Sequence, residues 1–282
     1  MSSKPAFEED LRQIAGEAYA LSGQLCGTCA DMHALWPYIR FARASTGIED
    51  EGSRLERVLS ELIRQGRREV LIAGAQDTGL LTLVARASPE ANIVVLDQCE
   101  TPLELCRRLA RRNALAINTL HTDLRDLEVA VRFNLILVHF TLHFIEPAHR
   151  IDVLMRLRRA LKPGGRLVLL FNTGRKIGGA LMSQGREGYA HWVMDELDRL
   201  TVPLPEPADA FGARLSRHGG RREDREGAYA TPDEVCGLLR KAGFDVCDCF
   251  ETTATVADPL RDFVEKIDKR RFLAVAAPVA HG

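Results

Sequence analysis

At 282 residues, with 46% apolar and 27% charged side chains, the chain can bury a sizeable core as one large domain or as one domain with an appendage. Its formal charge of −1 leaves no basic footprint for nucleic acid, and no run reaches the roughly 18 uninterrupted apolar residues of a membrane span. The start, MSSKPAFEEDLRQ, is acidic and polar where a signal peptide is basic and then apolar, so the expected compartment is the cytoplasm. Oligomeric state is left open.

Residues 7–65 read as helical. Helices fit FEEDLRQIAGEAYALSG and HALWPYIRFARAS, and a third is expected to start at Ser53, where Ser53-Arg-Leu-Glu56 has the form of a capping box. Leu55, Val58, Leu59, Leu62 and Ile63 then form one apolar stripe. From 69 to 174 strand and helix alternate: VLIAG, LLTLVARA, NIVVLD, a helix from Thr101 with proline at its first position, INTLHTD, FNLILVHF, a helix around Arg150–Leu161, the KPGG turn and RLVLLF. The apolar runs lack period-two alternation, which predicts a parallel sheet covered on both faces. Residues 175–230 are rich in glycine, proline and charge. They read as a loop-rich insertion with one helix, AHWVMDELDRL, acting as a lid. A cap at Thr231-Pro-Asp-Glu234 opens VCGLLRKAGF; the strand DVCDCFETT, a charged segment DPLRDFVEKIDKRR and a last strand FLAVAAPV follow. The expected division is a helical extension over 1–66 and an α/β domain over 67–282.

The seven cysteines are odd in number and scattered, which excludes a secreted disulfide framework. Cys26-Gly-Thr-Cys29 with His33 has the form CxxCxxxH, and with Cys247 and Cys249 it could make a zinc site. The second pair lacks CxxC spacing, however, and two reduced thiols near a helix start account for the motif. No metal is expected.

The chemistry-bearing stretch is EVLIAGAQDTG, Glu69 to Gly79: strand, tight turn, helix. Glycine there lets backbone approach a ligand, and the helix start presents unpaired N–H groups. Gly74 stands at a strand end read as surface-facing, where valine should block a ligand without unfolding the chain. Eighteen residues past Gly79 the run NIVVLD ends at Asp97; an acid so placed in βαβ folds grips the hydroxyls of a ribose. An adenosine-type cofactor is implied.

LRRALKPGGRLVLLF, the helix–AGF–strand unit LLRKAGFDV and VHFTLHFI complete a pattern that resembles the class I S-adenosylmethionine-dependent methyltransferases, from about residue 53 to the end. The resemblance implies a Rossmann-like α/β fold: a seven-stranded sheet with helices on both faces and the last strand antiparallel, here with an N-terminal helical extension and an insertion after the fifth strand. It implies S-adenosyl-L-methionine as cofactor. Gly74, Ala75, Gln76, Asp77 and Gly79 would lie along its methionine part, Asp97 with Gln98 beside it at the ribose, Asp123 at the adenine amino group with Leu124 supplying an N–H, and His139 and Phe140 at the sulfonium. The chain departs from the family's acid-x-Gly-x-Gly-x-Gly: the acid position is Ile72, the middle glycine is Gln76, and the third is shifted to Gly79, with Asp77 a candidate replacement for the acid.

A methyl sulfonium is already electrophilic, so alignment and exclusion of water are the main requirements. The Asn/Asp-Pro-Pro-aromatic motif of base and glutamine N-methylation is absent, VHFT standing in its place. Histidine suits deprotonation of a hydroxyl, and of His139, His143, His191 and His218 only the first two lie on a motif near the methyl group. His139 and His143 are therefore the catalytic candidates. For a small-molecule substrate the candidates are Trp36, Tyr38 and Arg40 in the N-terminal helices and Tyr189, His191, Trp192 and Tyr229 in the insertion, against the alternative that the tryptophans only pack. Small-molecule methylation, possible at oxygen, is the leading reading. The alternatives are a non-methyl transfer or cyclisation with the same cofactor, and a degenerate binding or scaffold domain, which the irregular glycine turn keeps open.

Overall fold

The computed structural model describes residues 4–42, 44, 48–128, 132–173, 183–223, 229–252 and 270–279. Two compact units are present. The larger holds seven strands: β1 (Glu69–Ala73), β2 (Asn92–Asp97), β3 (Ile117–His121), β4 (Phe133–His139), β5 (Leu161–Thr173), β6 (Phe244–Glu251) and β7 (Arg270–Pro278). They lie in the order β3-β2-β1-β4-β5-β7-β6, the first five parallel, with β7 antiparallel to both β5 and β6. Between them run α4 (Gly79–Ala87), α5 (Glu100–Arg112), α6 (Arg150–Ala160) and α9 (Pro232–Lys241), and α3 (Ile48–Arg64) joins this unit from Glu51 onward. The expected sheet is thus the one observed.

Alternation along β1 explains the apolar run. Leu71 and Ala73 face a cluster built with Val153, Leu154 and Leu157 of α6 and Leu239 of α9. Val70 and Ile72, pointing the other way, are equally buried, so both faces of the strand are covered. Each such fully buried aliphatic side chain contributes about 1.5–3 kcal/mol relative to exposure. Because β1 and β4 are neighbours while the chain passes from β1 to β2 on the opposite side, the carboxyl ends of β1 and β4 flank the point where strand order reverses. Open α/β sheets bind ligands there.

Several element boundaries differ from those the sequence suggests. Helix α3 starts at Ile48, so Ser53 lies inside it instead of capping it. Helix α5 starts at Glu100, one residue before Thr101, which is fully buried. The cap at Thr231 forms as expected: its hydroxyl accepts the Glu234 N–H at 3.3 Å, and the Glu234 carboxylate accepts the Ala230 N–H at 2.8 Å. The KPGG segment is a bulge within β5 and not a turn before it: Leu161 pairs with Phe133, and pairing resumes with Arg166 opposite Leu135. Gly164 has φ +75°, and a Cβ on Gly165 would stand 2.9 Å from the Lys162 carbonyl oxygen, so both glycines are needed. Most of the charged segment 258–271 lies outside the described residues.

The second unit combines α1 (Lys4–Leu25) and α2 (Ala30–Phe41) with α7 (Ser183–Arg199) and α8 (Ala208–Glu223). Its buried positions recur at i, i+4: Ile14 and Ala18, Leu35 and Ile39, Val193 and Leu197, Phe211 and Leu215. Tyr38 meets the Phe211 ring edge-on, centroids 5.0 Å apart. Arg214 donates to Asp31 at 3.2 Å and to Glu206 at 3.3 Å, with its guanidinium 5.3 Å from the Tyr19 ring centre. The described part of 175–230 therefore holds the expected helix, as α7, and a second, α8, where the composition suggested loop. The apolar positions are one per turn, too sparse to register against the glycines and charges around them. Arg214→Ala should make α8 sensitive to trypsin at Arg217 under conditions where the parent chain resists, as followed by mapping the first cleavage products; equal resistance would show that the Arg214 pairs do not hold α8.

Candidate functional site

The site is assembled at the carboxyl ends of β1, β2, β3 and β4. After Ala73 the backbone turns through Gly74, at φ +88°, whose N–H donates to the Leu96 carbonyl at 2.8 Å and so prolongs the β1–β2 ladder by one residue. Thr141, arriving from β4, lies directly on this glycine. Its hydroxyl donates to the Ala73 carbonyl at 3.0 Å, and a Cβ built on Gly74 would stand 2.2 Å from Thr141 Oγ1. Gly74 is half-buried, and the space a Cβ would take is filled by Thr141: valine there would be strained in φ and would displace Thr141, so folding and ligand binding would fail together. Two residues on, Gln76 also has positive φ, 56°. It holds the middle-glycine position in the conformation glycine adopts most easily.

Asp97, at the end of β2 and 9% exposed, fastens this turn. Its Oδ2 accepts the N–H groups of Ala75 at 2.9 Å and Gln76 at 3.4 Å, and its Oδ1 accepts the Cys99 N–H at 2.8 Å. Asp77 faces elsewhere: buried, it accepts the Gly79 N–H at 2.7 Å and so caps the start of α4, where the helix dipole favours a carboxylate. The position two before the first glycine is Ile72, fully buried in the sheet. Asp77 thus does not take over an acid's place on β1. Its role is to shape the turn.

On the neighbouring strand Asp97 pairs with His121, and the Thr122 N–H donates to the Asp97 carbonyl at 3.1 Å, which sets Asp123 beside the same edge. Asp123 accepts from Arg125 three times: its N–H at 2.8 Å, Nε at 3.0 Å and Nη2 at 2.8 Å. The Arg125 guanidinium holds the Asp123 carboxyl below its usual range. Gln98 is exposed, with its carbonyl oxygen 3.1 Å from His121 Nε2, and Leu124 is buried in the core cluster.

At the end of β4, Phe140 has φ 55°, a left-handed conformation that costs a bulky residue of order 1–3 kcal/mol and that gathers at functional sites. Its N–H donates to Leu170 at 3.0 Å. The Phe140 carbonyl accepts the His143 N–H at 3.2 Å and contacts His143 Nδ1 at 3.0 Å, while the Asn172 N–H donates to His143 Nε2 at 3.1 Å. That pair of contacts assigns the proton to Nδ1 and engages both ring nitrogens. His143 is accordingly a brace for the strained turn, and its ring offers no nitrogen to a substrate proton. His139, half-buried, packs edge-on against Phe140 with centroids 4.5 Å apart, and is the histidine left as a candidate base. Arg271 at the start of β7 stands 4.7 Å from the Phe140 ring centre and pairs with the fully buried carboxylate of Glu51. Thr141, Asn172, Arg271 and Glu51 were not singled out from the sequence. The last two meet across 220 positions with no local signal.

The proposed substrate residues scatter. Tyr38, Tyr189 and Tyr229 are 1–2% exposed and Arg40 is buried, so the three tyrosines serve as packing. Burial pushes the Tyr38 and Tyr229 hydroxyls up to about 12. The Tyr229 ring is wedged between His143 and Phe171, centroids at 5.4 and 6.0 Å, with the Arg150 guanidinium 4.7 Å away. His191 is exposed, 3.9 Å from Asp195, and Trp36 and Trp192 are half-buried.

These residues fit an adenosine-type cofactor. A carboxylate offers about four lone-pair positions. Asp97 and Asp123 each have three engaged, which leaves room for further donors on adjacent strand ends. Residues 70–165 match the family described as "Methyltransferase domain". Carboxy-S-adenosyl-L-methionine synthase of Klebsiella pneumoniae is 30% identical over 117 residues, 40% of this chain and 47% of that protein. The synthase of Pseudomonas putida is 28% identical over 135 residues, 46% and 47% of the two chains. The chain thus spans about half the length of the curated relatives it matches. In fold it is similar to an S-adenosylmethionine-dependent methyltransferase from Clostridium acetobutylicum, with TM-score 0.55 and 13% identity over 90% of this chain and all of that one. It is also similar to Burkholderia thailandensis 1,6-didemethyltoxoflavin-N1-methyltransferase, with TM-score 0.51 and 15% identity over 99% and 92% of the chains. Residues 70–165 are thus similar to a methyltransferase domain, and the chain shares its fold with an S-adenosylmethionine-dependent methyltransferase.

Replacing Gln76 by glycine should relieve a left-handed strain of about 1–2 kcal/mol against about 0.5–1 kcal/mol of added unfolded-chain entropy, a small net gain in stability. Chemical denaturation of the two proteins is the check. Loss of stability would mean that the Gln76 side chain, and not its backbone, holds the turn.

Proposed function

We propose that the chain is a methyltransferase acting on a small molecule in the cytoplasm, with oxygen as the acceptor atom. The observation that carries this reading is Asp97: a buried strand-end carboxylate joined to a positive-φ turn at the reversal point of the sheet, as an adenosine-binding βαβ unit requires. Asp97 would take the ribose hydroxyls, Asp123 the adenine amino group, and Gly74 through Gly79 the methionine end. When bound, S-adenosylmethionine supplies an electrophilic methyl group. The chain's own part is to align the acceptor, exclude water and, for a hydroxyl, accept its proton at His139. His143 keeps the Phe140 turn in place, so its substitution should reduce turnover by displacing His139. Among the described residues no helix is long and apolar enough to cross a membrane. All seven cysteines are thiols, in keeping with the proposed compartment.

The names of relatives favour a second reading. The matched curated proteins are carboxy-S-adenosyl-L-methionine synthases, and the cyclase SpnF has the same fold, with TM-score 0.53 and 15% identity over 82% of each chain. Use of the sulfonium cofactor for a reaction other than methyl transfer would accord with those names.

Calorimetry with S-adenosylmethionine, followed by detection of S-adenosylhomocysteine in the presence of small phenols and amines, separates the readings. The wild type should bind, and Asp97→Asn should bind about tenfold to a hundredfold more weakly, as hydrogen bonds to a charged group are worth about 1.5–3 kcal/mol. Equal binding by Asp97→Asn would remove Asp97 from the cofactor site. Binding without release of S-adenosylhomocysteine would favour the second reading, and no binding at all would overturn both.

A further inference from the structure

The junction between α1 and α2 gathers three side chains with soft-metal chemistry, far in sequence from the cofactor residues. Cys26 directly follows α1, where its N–H donates to the Ser22 carbonyl at 3.1 Å. The chain turns through Gly27, whose carbonyl accepts the Ala30 N–H at 3.3 Å, and Cys29 occupies the residue before the first turn of α2. His33 lies four residues further on, and its N–H donates to the Cys29 carbonyl at 3.3 Å, so the two share one helix face. As a result the sulfur atoms of Cys26 and Cys29 and a ring nitrogen of His33 all lie within 4.8 Å of one another.

A second observation points to a ligand. His33 is 4% exposed, and its Nδ1 is a buried polar atom with no hydrogen-bond partner. Leaving such an atom unsatisfied is costly, a loss that a coordinated cation removes.

We propose that Cys26, Cys29 and His33 bind one zinc ion, two thiolates and an imidazole filling three positions of a tetrahedron and water or another donor the fourth. Around zinc, with Zn–S about 2.3 Å and Zn–N about 2.0–2.1 Å, ligand atoms stand about 3.5–3.8 Å apart. The observed cluster therefore closes by rotating side chains, with no movement of the helices. Binding releases a proton from each thiol and ties the end of α1 to the start of α2. Sequence spacing alone favoured two reduced thiols. What it did not disclose is the burial of His33 with an idle ring nitrogen.

The test is titration of the full-length, reduced protein with cobalt(II), a zinc surrogate, followed by displacement with zinc. One equivalent should bind, with thiolate-to-cobalt charge-transfer absorption and the intense visible bands of a tetrahedral ion, and zinc should abolish both. Cys26→Ser and Cys29→Ser should each lose charge-transfer intensity and weaken binding at least tenfold, whereas the exposed Cys247→Ser should behave as wild type. The wild-type spectrum decides the matter even if a variant fails to fold. No saturable binding, octahedral spectra without charge transfer, or unaltered binding in the Cys26 and Cys29 variants would overturn the proposal. Formation of a Cys26–Cys29 disulfide at a rate that saturating zinc does not slow would also overturn it.

Discussion

The site depends on one carboxylate. Asp97 ends β2, yet its two oxygens reach back to the backbone of the turn after β1 and forward to the start of α5, joining three segments through N–H groups of Ala75, Gln76 and Cys99. At 9% exposure those bonds act in a medium less polar than water, where a charged acceptor is stronger and its loss more costly. The arrangement explains how a turn that lacks one of the family's glycines keeps its shape. Gln76 is held in a left-handed conformation because its own N–H and that of Ala75 are both directed to Asp97. The residue expected to hold the ribose is therefore also the residue that forms the cradle.

Opposite this clamp, the end of β4 stores strain that several distant groups counter. Phe140 would leave its left-handed conformation readily if its carbonyl were not held by His143, whose other nitrogen is fixed by the Asn172 N–H of β5. The buried Glu51–Arg271 pair adds a cation beside the Phe140 ring. Thr141, one residue on, seals Gly74 and hydrogen-bonds to the last residue of β1. The two strand ends that flank the reversal of strand order are thus locked to each other before any ligand arrives, which is the pre-organisation that transfer of a group between aligned atoms requires.

How much of this was legible in the sequence follows from the range of each interaction. The parallel sheet was, because VLIAG, NIVVLD and FNLILVHF are short apolar runs and covered strands need nothing else. The cap at Thr231 was, since its partners lie within four residues. The position of Asp97 at a strand end was legible, but its contacts with the turn were not foreseen, because nothing local tells whether a strand-end acid faces solvent or folds back. For His143, a candidate base weighed against a structural role, only the tertiary position of Asn172 reveals that both ring nitrogens are engaged. Tyr38, Tyr189 and Tyr229 were misread as substrate contacts for the same reason, an aromatic ring having one sequence signature for a core and for a binding surface. Helix α7 was legible as AHWVMDELDRL, whereas α8 was hidden by composition, since a glycine-rich, charged segment needs only one apolar contact per turn to pack.

Amide hydrogen exchange resolved by residue tests most directly whether Asp97 couples the turn to the cofactor. In the free protein the N–H groups of Ala75, Gln76 and Cys99 should be protected. Addition of S-adenosylhomocysteine should raise the protection of all three together, while amides of β6 at the far edge of the sheet stay unchanged. Exchange of the Ala75 and Gln76 amides at the rate of open chain in the free protein, or ligand-induced protection that bypasses all three, would contradict that coupling.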